Sequence, residues 1–458
     1  MVYMLLILVG FVSANVKETY LTIYNNNIAG VNQSYTEKCG KGIFEVSIKN
    51  MPRTIIADSL NLSLPDYLSL RLQSYKNDNT NYINHQVSII TKDNNVIKGI
   101  LYRNDGDSYT LKNENKEYIV VLKEYVKYIN YGKFDEIDFK NRLINNGILN
   151  LVFNSSKDGN CEFGINYVLN NISWNASYDL YLNDDETKLD INARVVITNN
   201  TGYNFKNSSI LLVAGDINKV SENMPAFRTM SKSLFDTASL ENVGEIEPQS
   251  LSDYYSYNPN VKGININDGE TLSIDMFARK NIKFKKLYVY KGQQDMWYFY
   301  DNLKSYRYDK NLTVNLIFEN NKENMIDMPI PSGKVRVYKR NGNFISMIGE
   351  DKINHTAPNS KIEITLGKAF DISGKRVILD HKKIRPNVYH DTIEISIKNE
   401  KNEDVTVKVK EYLWGNWSIV ESSHKYKKID ANNIEFDVKV SKKSSLTIKY
   451  TAEYDFNQ

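Results

Sequence analysis

The chain has 458 residues, enough for about two to four domains, and its 41% hydrophobic and 25% charged residues are typical of a folded globular protein. Its 58 Lys and Arg nearly balance its 55 Asp and Glu, which argues against a nucleic-acid-binding protein because phosphate contacts need a clear basic excess. With 2 Cys and 5 His, the sequence also excludes a disulfide scaffold and a zinc-ribbon protein.

The first segment predicts export. Residues 4–12 form a short apolar run, and small residues follow at the positions that a signal peptidase reads. We therefore expect a signal peptide over 1–14, cleaved after Ala14; the alternative is a first buried strand. No later stretch approaches the roughly 20 apolar residues of a membrane-spanning helix, so no transmembrane span is expected. The mature protein is expected to be secreted or held at the cell surface.

The next segment, 15–150, predicts an N-terminal β domain with a small SH3-like barrel inserted at about 85–130. Four short β-prone runs predict the strands of this barrel, at 87–90, 96–101, 108–111 and 118–122. Asp105-Gly106 predicts a turn between two of them. Residues 135–146 predict a short helix that ends at Gly147.

The central region, 151–375, predicts a β-sandwich. Residues 220–260 contain many Ser, Asn and Pro with little periodicity, so they predict a long loop or a crossover between strands. Near the end of the region, runs at 334–338 and 344–348 flank Asn341-Gly342. Asn-Gly is the favoured two-residue hairpin loop because both residues tolerate positive φ.

The last segment, 376–458, predicts an Ig-like β-sandwich. Strict alternation of apolar and polar residues predicts half-buried strands at 392–398, 405–410, 434–440 and 446–450. The fold class is therefore mainly all-β, with several antiparallel β-sandwich domains and the small barrel segment.

Six ordered stretches resemble a known family: NISWNASY (171–178), VITNNTG (196–202), LLVAGDI (211–217), MPIPSGKVRVY (328–338), IGEDKINHT (348–356) and LGKAFD (366–371). The chain is similar over about 160–455, and more weakly over 42–62, to the family called domain of unknown function 4139, related to mucoidy-inhibitor-like proteins. This resemblance implies an exported, β-rich protein. It implies no particular activity, because the family has no agreed one. Many members carry a coiled coil near the N-terminus; this chain has no heptad run there, so a coiled-coil role does not transfer.

The sequence contains no standard catalytic or metal motif: it has no G-x-S-x-G, no H-E-x-x-H, no P-loop and no EF-hand loop. The best candidate is Glu350-Asp351 with His355, where a carboxylate could orient an imidazole as a general base or hold a metal. On a β-hairpin, however, Glu350 and Asp351 point to opposite faces. The alternative is a turn in which Asp351 caps backbone amides and His355 packs.

Other charged clusters favour ordinary surface roles. His381 beside Asp380, and His390 beside Asp391, are adjacent pairs whose side chains diverge on a strand. The acidic residues 184–186 could bind calcium weakly, but such a cluster is more often a solvated hairpin turn. Two carboxylates could hydrolyse a glycoside, but the sequence cannot select a pair. We therefore predict no catalytic residue, no metal site and no cofactor, and expect the chain not to be an enzyme.

In an exported protein, the asparagine of an Asn-x-Ser/Thr sequence can accept a glycan where it lies at the surface. Ten such sites are a small excess over chance, and some can serve turn geometry instead. The candidates are Asn32, Asn61, Asn154, Asn171, Asn175, Asn199, Asn207, Asn311, Asn354 and Asn416.

Two further sets of residues leave alternatives open. Cys39 and Cys161 could form one disulfide, as exported proteins do, or remain two buried thiols. Trp414 and Trp417 flank a Gly-Asn turn and could stack on a sugar ring, or they could fill the sandwich core. Trp297 starts an all-aromatic run, 297–300, which cannot bury every ring on one face, so part of it should face another domain or subunit.

These features favour a structural cell-surface glycoprotein, as the self-assembling subunit of a surface layer (S-layer) of the cell envelope. We expect it to associate with copies of itself, as a homo-oligomer or a lattice. Tyrosine, asparagine and mixed charge suit directional contacts that include bridging water. The alternatives are an adhesion module that binds an envelope glycan or protein through the 220–260 loop or the Trp414–Trp417 turn, and a hydrolase with a cryptic carboxylate or His site.

Overall fold

A computed structural model of the chain describes residues 15–77, 85–104, 107–132, 147–215, 245–292 and 307–457. Over these residues the chain is almost entirely strand, so the all-β prediction is confirmed. The described helices are three single 3₁₀ turns, at Ala57–Ser59, Lys123–Tyr125 and Lys322–Asn324. The predicted signal peptide, the Asp105-Gly106 turn, the helix at 135–146 and Trp297 lie outside the described residues.

The chain divides into two compact units, each built from two stretches of sequence. The first unit comprises Met1–Trp174 and Val196–Ile274, and the second comprises Asn175–Val195 and Asp275–Gln458. The division falls within three strands, which begin at Ile172, Lys188 and Thr271. The domain limits predicted from the sequence stay a prediction.

Thirty strands lie in the part of the chain that the structure describes. In the first half of the chain they are β1 (Asn15–Tyr24), β2 (Ile28–Cys39), β3 (Gly42–Met51), β4 (Asn61–Ser63), β5 (Leu68–Asn77), β6 (Gln86–Thr91), β7 (Val96–Asn104), β8 (Ser108–Lys112), β9 (Tyr118–Leu122), β10 (Val126–Asn130), β11 (Gly147–Ser155), β12 (Gly159–Asn170), β13 (Ile172–Leu182), β14 (Lys188–Asn199) and β15 (Phe205–Ala214). In the second half they are β16 (Pro248–Leu251), β17 (Tyr254–Tyr257), β18 (Ile264–Ile266), β19 (Thr271–Lys283), β20 (Lys285–Lys291), β21 (Arg307–Asn320), β22 (Gly333–Asn341), β23 (Phe344–Ile353), β24 (Ser360–Arg385), β25 (Val388–Asn399), β26 (Val405–Tyr412), β27 (Asn416–Ser422), β28 (Lys427–Lys428), β29 (Asn433–Val440) and β30 (Ser444–Asp455).

An eight-stranded sheet forms the frame of the first unit. Its order is β16-β17-β15-β1-β2-β12-β4, with β18 also paired to β15, and a separate three-stranded sheet has the order β3-β11-β5. Strand β1 is parallel to β15, although residues 25–204 lie between them in the sequence. Residues 248–257, inside the predicted loop at 220–260, form the β16–β17 hairpin rather than a loop. The remainder of that loop, up to residue 244, lies outside the described residues.

A disulfide joins two neighbouring strands of this sheet. Cys39 of β2 and Cys161 of β12 are bonded, with their Cα atoms 5.8 Å apart. Both side chains are buried. The bridge therefore closes a long loop, since the two cysteines have a sequence separation of 122.

The predicted barrel segment is a five-stranded antiparallel sheet of the order β10-β6-β7-β8-β9. The four predicted strands are confirmed, with ends that match or differ by at most three residues, and β10 adds a fifth after the 3₁₀ turn at Lys123–Tyr125. Alternate residues turn inward and form a small separate core of Val87, Ile89, Leu101, Leu111 and Val121. The sheet curls around this core, so the other set of alternate residues points outward.

The second unit contains a five-stranded sheet of the order β19-β14-β13-β22-β23, in which β13 and β22 are parallel. The β22–β23 hairpin is present as predicted, but its two-residue loop is Gly342-Asn343 rather than Asn341-Gly342, since Asn341 pairs with Phe344. Gly342 supplies the positive φ, at 58°. Strand pairing fixes the loop one residue later than the dipeptide alone suggests.

A nine-stranded sheet completes this unit, in the order β27-β30-β25-β24-β21-β20-β26-β29-β28. The four strands predicted by alternation near the C-terminus are confirmed as β25, β26, β29 and β30. The rings of Phe436 in β29 and Tyr450 in β30 lie 5.7 Å apart, although five strands separate β29 from β30 in the sheet order. The sheet therefore folds over on itself, as a sandwich does, around one apolar core.

An ion pair is buried inside this core. Arg376 donates from Nε to Glu411 Oε2 at 2.9 Å, and both side chains are almost fully buried. The hydroxyl of Tyr450 also donates to Glu411. The pair therefore links β24, β26 and β30, and because a buried charge without its partner is costly, it restricts how these strands can meet.

Prediction of the disulfide's contribution: replacing both cysteines, as Cys39→Ser/Cys161→Ser, should lower the free energy of unfolding by about 3–5 kcal/mol, because the unfolded chain loses a long loop constraint. Urea unfolding of the wild type and the double variant measures the difference. A reducing agent should destabilise the wild type and leave the double variant unchanged. Equal stability of the two proteins would contradict a structural role for the bridge.

Candidate functional site

Glu350, a predicted candidate for catalysis, is part of a ladder of charges across the five-stranded sheet. It accepts a hydrogen bond from Arg336 Nε at 2.9 Å and lies 3.3 Å from Lys334 Nζ. In the strand register Arg336 also stands beside Asp179, which pairs with Arg194. These residues alternate in sign over four adjacent strands. The contact with Lys334, and then that with Arg336, lowers the pKa of Glu350, so this carboxylate is held ionised as a structural anion.

Asp351 and His355 also make local structural contacts. Asp351 accepts hydrogen bonds from the backbone N–H of Lys352 at 2.8 Å and of Thr365 at 2.7 Å. His355 Nδ1 accepts from the backbone N–H of Ser332 at 3.2 Å. The three candidate side chains thus have separate partners, and the arrangement matches the alternative in which Asp351 caps backbone amides.

The histidines near the C-terminus pair across strands rather than along the chain. His381 stands opposite Asp391 in the β24–β25 register, with 2.5 Å between Nδ1 and Oδ1, and Asp391 is fully buried. His390 Nε2 lies 2.8 Å from Glu453 Oε2 on β30. Each histidine therefore meets the residue opposite it on the neighbouring strand, and its side chain diverges from that of its sequence neighbour. The hydrogen bond to Asp391 raises the pKa of His381.

The acidic residues 184–186 lie in the turn between β13 and β14. Asp185 bonds to Thr187 in that turn, while Glu186 is held by Lys286 and Lys339. Contacts with these two lysines lower the pKa of Glu186. Among the residues that the structure describes, no group of three or more His, Cys, Asp or Glu could hold a metal ion.

The predicted glycosylation sites divide by exposure. Asn199 is fully buried, and its amide donates to the carbonyls of Tyr203 and Ile266 and accepts from the backbone and hydroxyl of Thr201. It therefore closes the turn after β14 and is poorly placed to carry a glycan. The other nine sites are exposed or half-buried: Asn32, Asn61, Asn154, Asn171, Asn175, Asn207, Asn311, Asn354 and Asn416.

The tryptophans of the C-terminal turn are half-buried and engaged. Both pack against the sandwich core. Trp414 makes an edge contact with Tyr412, with ring centroids 4.6 Å apart. Trp417 donates from Nε1 to the carbonyl of Ala431 at 2.6 Å, and Lys428 Nζ lies 4.3 Å from its ring centroid. Each ring is therefore partly covered by its own domain.

The most unusual described surface is one that the sequence did not single out, the first half of β23. We call residues 344–348 the open edge, because β23 is the last strand of its sheet and its outer side pairs with no described strand. Phe344 is 76% exposed and Met347 is 57% exposed. Ile345, which lies between them, and Ile348, which follows Met347, are exposed as well. Since successive residues point to opposite faces, both faces of the strand are uncovered here.

The second half of β23 is protected. A Cβ at Gly349 would lie 2.7 Å from Leu366 Cα, so only glycine allows β24 to approach this closely. Further along, the carboxylate of Asp351 accepts a hydrogen bond from the backbone N–H of Thr365 on β24. A bulge at Ile348, the last residue of the open edge, marks the boundary with this protected half. The signal in the sequence is the run Phe-Ile-Ser-Met-Ile, which has no polar alternation and no charge.

Over the described residues, no helix has the length and the apolar character that crossing a bilayer requires. In comparison with known proteins, the family described as Domain of unknown function (DUF4139) matches residues 163–414. The matched region includes the open edge and excludes the barrel segment. No curated protein matches the chain.

Prediction from the His381–Asp391 pair: because the folded-state pKa of His381 is raised above the unfolded value of about 6.5, the charged pair stabilises the fold fully below that pH. This contribution is lost as the pH rises through the folded pKa. The destabilisation caused by His381→Gln, measured by urea unfolding, should therefore be largest at acidic pH and shrink towards alkaline pH. In an Asp391→Asn background this pH dependence should vanish; its persistence there would contradict the assignment.

Prediction for Asn199: replacing this buried amide by alanine should lower the free energy of unfolding by more than about 2 kcal/mol, because several hydrogen bonds at the end of β14 are lost. Asn354→Ala, on the surface, is the matched control and should stay within about 0.5 kcal/mol of the wild type. Expression in a secretory host that adds N-glycans, followed by mass spectrometry of the peptides, should find Asn199 unmodified. A glycan on Asn199 in the folded protein would contradict its structural role.

Proposed function

The chain belongs to the family of the Domain of unknown function (DUF4139), and from this premise we propose that it is an exported, non-enzymatic structural protein of the cell surface that associates with copies of itself, as the subunit of a surface layer. The observation that carries the proposal is the open edge at residues 344–348. The partner is a second copy of the same chain.

An unpaired apolar edge is rare in proteins that remain single. Natural sheets usually blunt their edges with lysine, proline, bulges or a covering loop, because a free edge offers a row of backbone hydrogen-bonding groups to any other strand. The open edge carries no charge and no proline. The bulge at Ile348 is the last residue of the open edge, and the Asp351 cap lies beyond it, in the second half of β23. Only one half of this strand is therefore protected from pairing.

A second copy fits this edge by symmetry. In an antiparallel pair of two β23 strands centred on Ser346, Phe344 faces Ile348 of the other copy and Ile345 faces Met347. Such an isologous contact brings apolar side chains together and no like charges. It closes after two copies, so an extended layer needs a second contact as well, and the pair is the first species to expect.

Other observations support a structural rather than a catalytic role. Glu350 and Asp351 bind cations and backbone amides of their own sheet, and His355 accepts from the backbone of Ser332. The disulfide between Cys39 and Cys161 supports an oxidising compartment, as expected for an exported protein. The adhesion alternative receives less support, because Trp417 is bonded to Ala431 and covered by Lys428.

Prediction of self-association: the wild-type chain should form pairs at micromolar concentration, and electron microscopy should show ordered sheets in concentrated samples and on isolated cell envelopes. Met347→Lys should weaken the pair at least tenfold in analytical ultracentrifugation, because a lysine at an edge strand has to be desolvated before another strand can pair.

The matched control is Tyr255→Lys. Tyr255 is exposed in the same way, but its strand β17 is paired on both sides, so the substitution should not change association. A wild-type chain that stays monomeric, with no lattice on the envelope, would overturn the proposal. Association that Met347→Lys leaves intact would place the contact elsewhere and overturn the role of the open edge.

A further inference from the structure

The strands of the barrel segment differ in charge from the rest of the chain. The whole chain is nearly neutral, yet the five strands β6–β10 contain no Asp or Glu. Their charged residues are all cations: Lys98, Arg103, Lys112 and Lys127. The carboxylates lie in the turns, where Asp93 bonds to Thr91 and Asn95, and Glu117 bonds to Asn113.

The outward sides of β7 and β9 are also largely apolar, while β8 between them presents Ser108, Thr110 and Lys112. We call this surface the barrel face; its outward residues besides the cations are mainly Ile100, Tyr102, Tyr118, Val120 and Leu122. These five side chains are between 41% and 61% exposed. They are not needed for the core of the barrel, which the inward set of residues fills.

The cations and the apolar groups on this face are interleaved. Ile100, Lys112 and Tyr118 stand side by side across the three strands. Lys112 Nζ lies 5.6 Å from the ring centroid of Tyr118, and Tyr102 meets the same ring edge-on at 5.0 Å. Lys98 is exposed two residues before Ile100 on β7. The barrel face therefore combines tyrosines, aliphatic side chains and lysines, with Ser108 and Thr110 on its middle strand.

We propose that the barrel face binds the surface of a lipid bilayer with anionic headgroups. Tyrosine suits a boundary where one end of the ring is apolar and the hydroxyl stays wet, and lysine can bury its stem while its ammonium reaches a phosphate. Partly inserted apolar groups and electrostatic attraction to anionic lipid together produce interfacial binding. This inference goes beyond the proposed function and does not depend on the open edge.

Two other occupants fit the barrel face less well. A second copy on the same face would bring Lys98 and Lys112 near their own equivalents, which repel. An acidic peptide is usually held in a groove, whereas these residues lie on the outer, convex side of a curled sheet. A bilayer surface needs no groove, and it presents negative charge and an apolar layer at adjacent depths.

The test is sedimentation of the full chain with vesicles of phosphatidylglycerol and phosphatidylcholine, compared with vesicles of phosphatidylcholine alone. The wild type should bind the anionic vesicles and release them as salt is raised. Lys98→Gln/Lys112→Gln should reduce the partition coefficient about thirtyfold, since each lysine near an anionic surface is worth about a factor of five. Ile100→Ser/Val120→Ser should reduce it as well, and circular dichroism should show that both variants remain folded.

The charge control is Lys375→Gln/Lys382→Gln, two exposed lysines on β24, which should bind like the wild type. The apolar run at residues 4–12 is common to every variant, so binding that depends on it survives all of these substitutions. Three results would overturn the proposal: no binding to anionic vesicles, equal binding to neutral vesicles, or binding that the barrel-face variants leave unchanged. Binding lost only in those variants supports it.

Discussion

The unsatisfied edge of a β-sheet is the constraint on which this architecture depends. A chain made of strands must find a partner for every backbone group, and those partners come mostly from strands distant in sequence. The nine-stranded sheet reduces the problem by folding over on itself. Strand β23 shows both outcomes within ten residues: Asp351 and Gly349 seal its second half against β24, and its first half stays open. The difference within one strand gives the proposed self-association a defined place.

Buried polar groups decide where the strands end and how the layers meet. Asn199 and Asn399 are fully buried at the ends of β14 and β25, and each donates its amide to the carbonyl four residues ahead. Each also accepts from the backbone N–H two residues ahead. The same asparagine turn therefore occurs twice, in different sheets. Between the layers of the nine-stranded sheet, the Arg376–Glu411 pair acts similarly, because any other alignment would leave a charge buried alone.

The strands that alternation predicted, such as β25, β26, β29 and β30, are present, because burial on one face of a sheet gives the sequence a period of two. Partners across strands could not be predicted, since they depend on register. His381 finds Asp391, ten positions away, and Glu350 finds Arg336 on the other arm of its hairpin. Composition also hid the role of Asn199, since a glycan acceptor and a buried turn residue share one motif. The exposure of the open edge could not be predicted, because an apolar run predicts a strand equally well whether or not another element covers that strand.

The parallel pairings have a consequence for how the chain reaches its fold. Thr19 pairs with Ser208, and Ala176 pairs with Gly333. The sheet of each unit therefore cannot be completed until residues far along the chain have been synthesised. The sequences of the two units are also interleaved, since Asn175–Val195 of the second interrupts the first. Such high contact order slows folding, because the entropy of closing long loops is lost before the contacts that reward it can form. Strands that wait for distant partners stay exposed during folding, which raises the risk of aggregation.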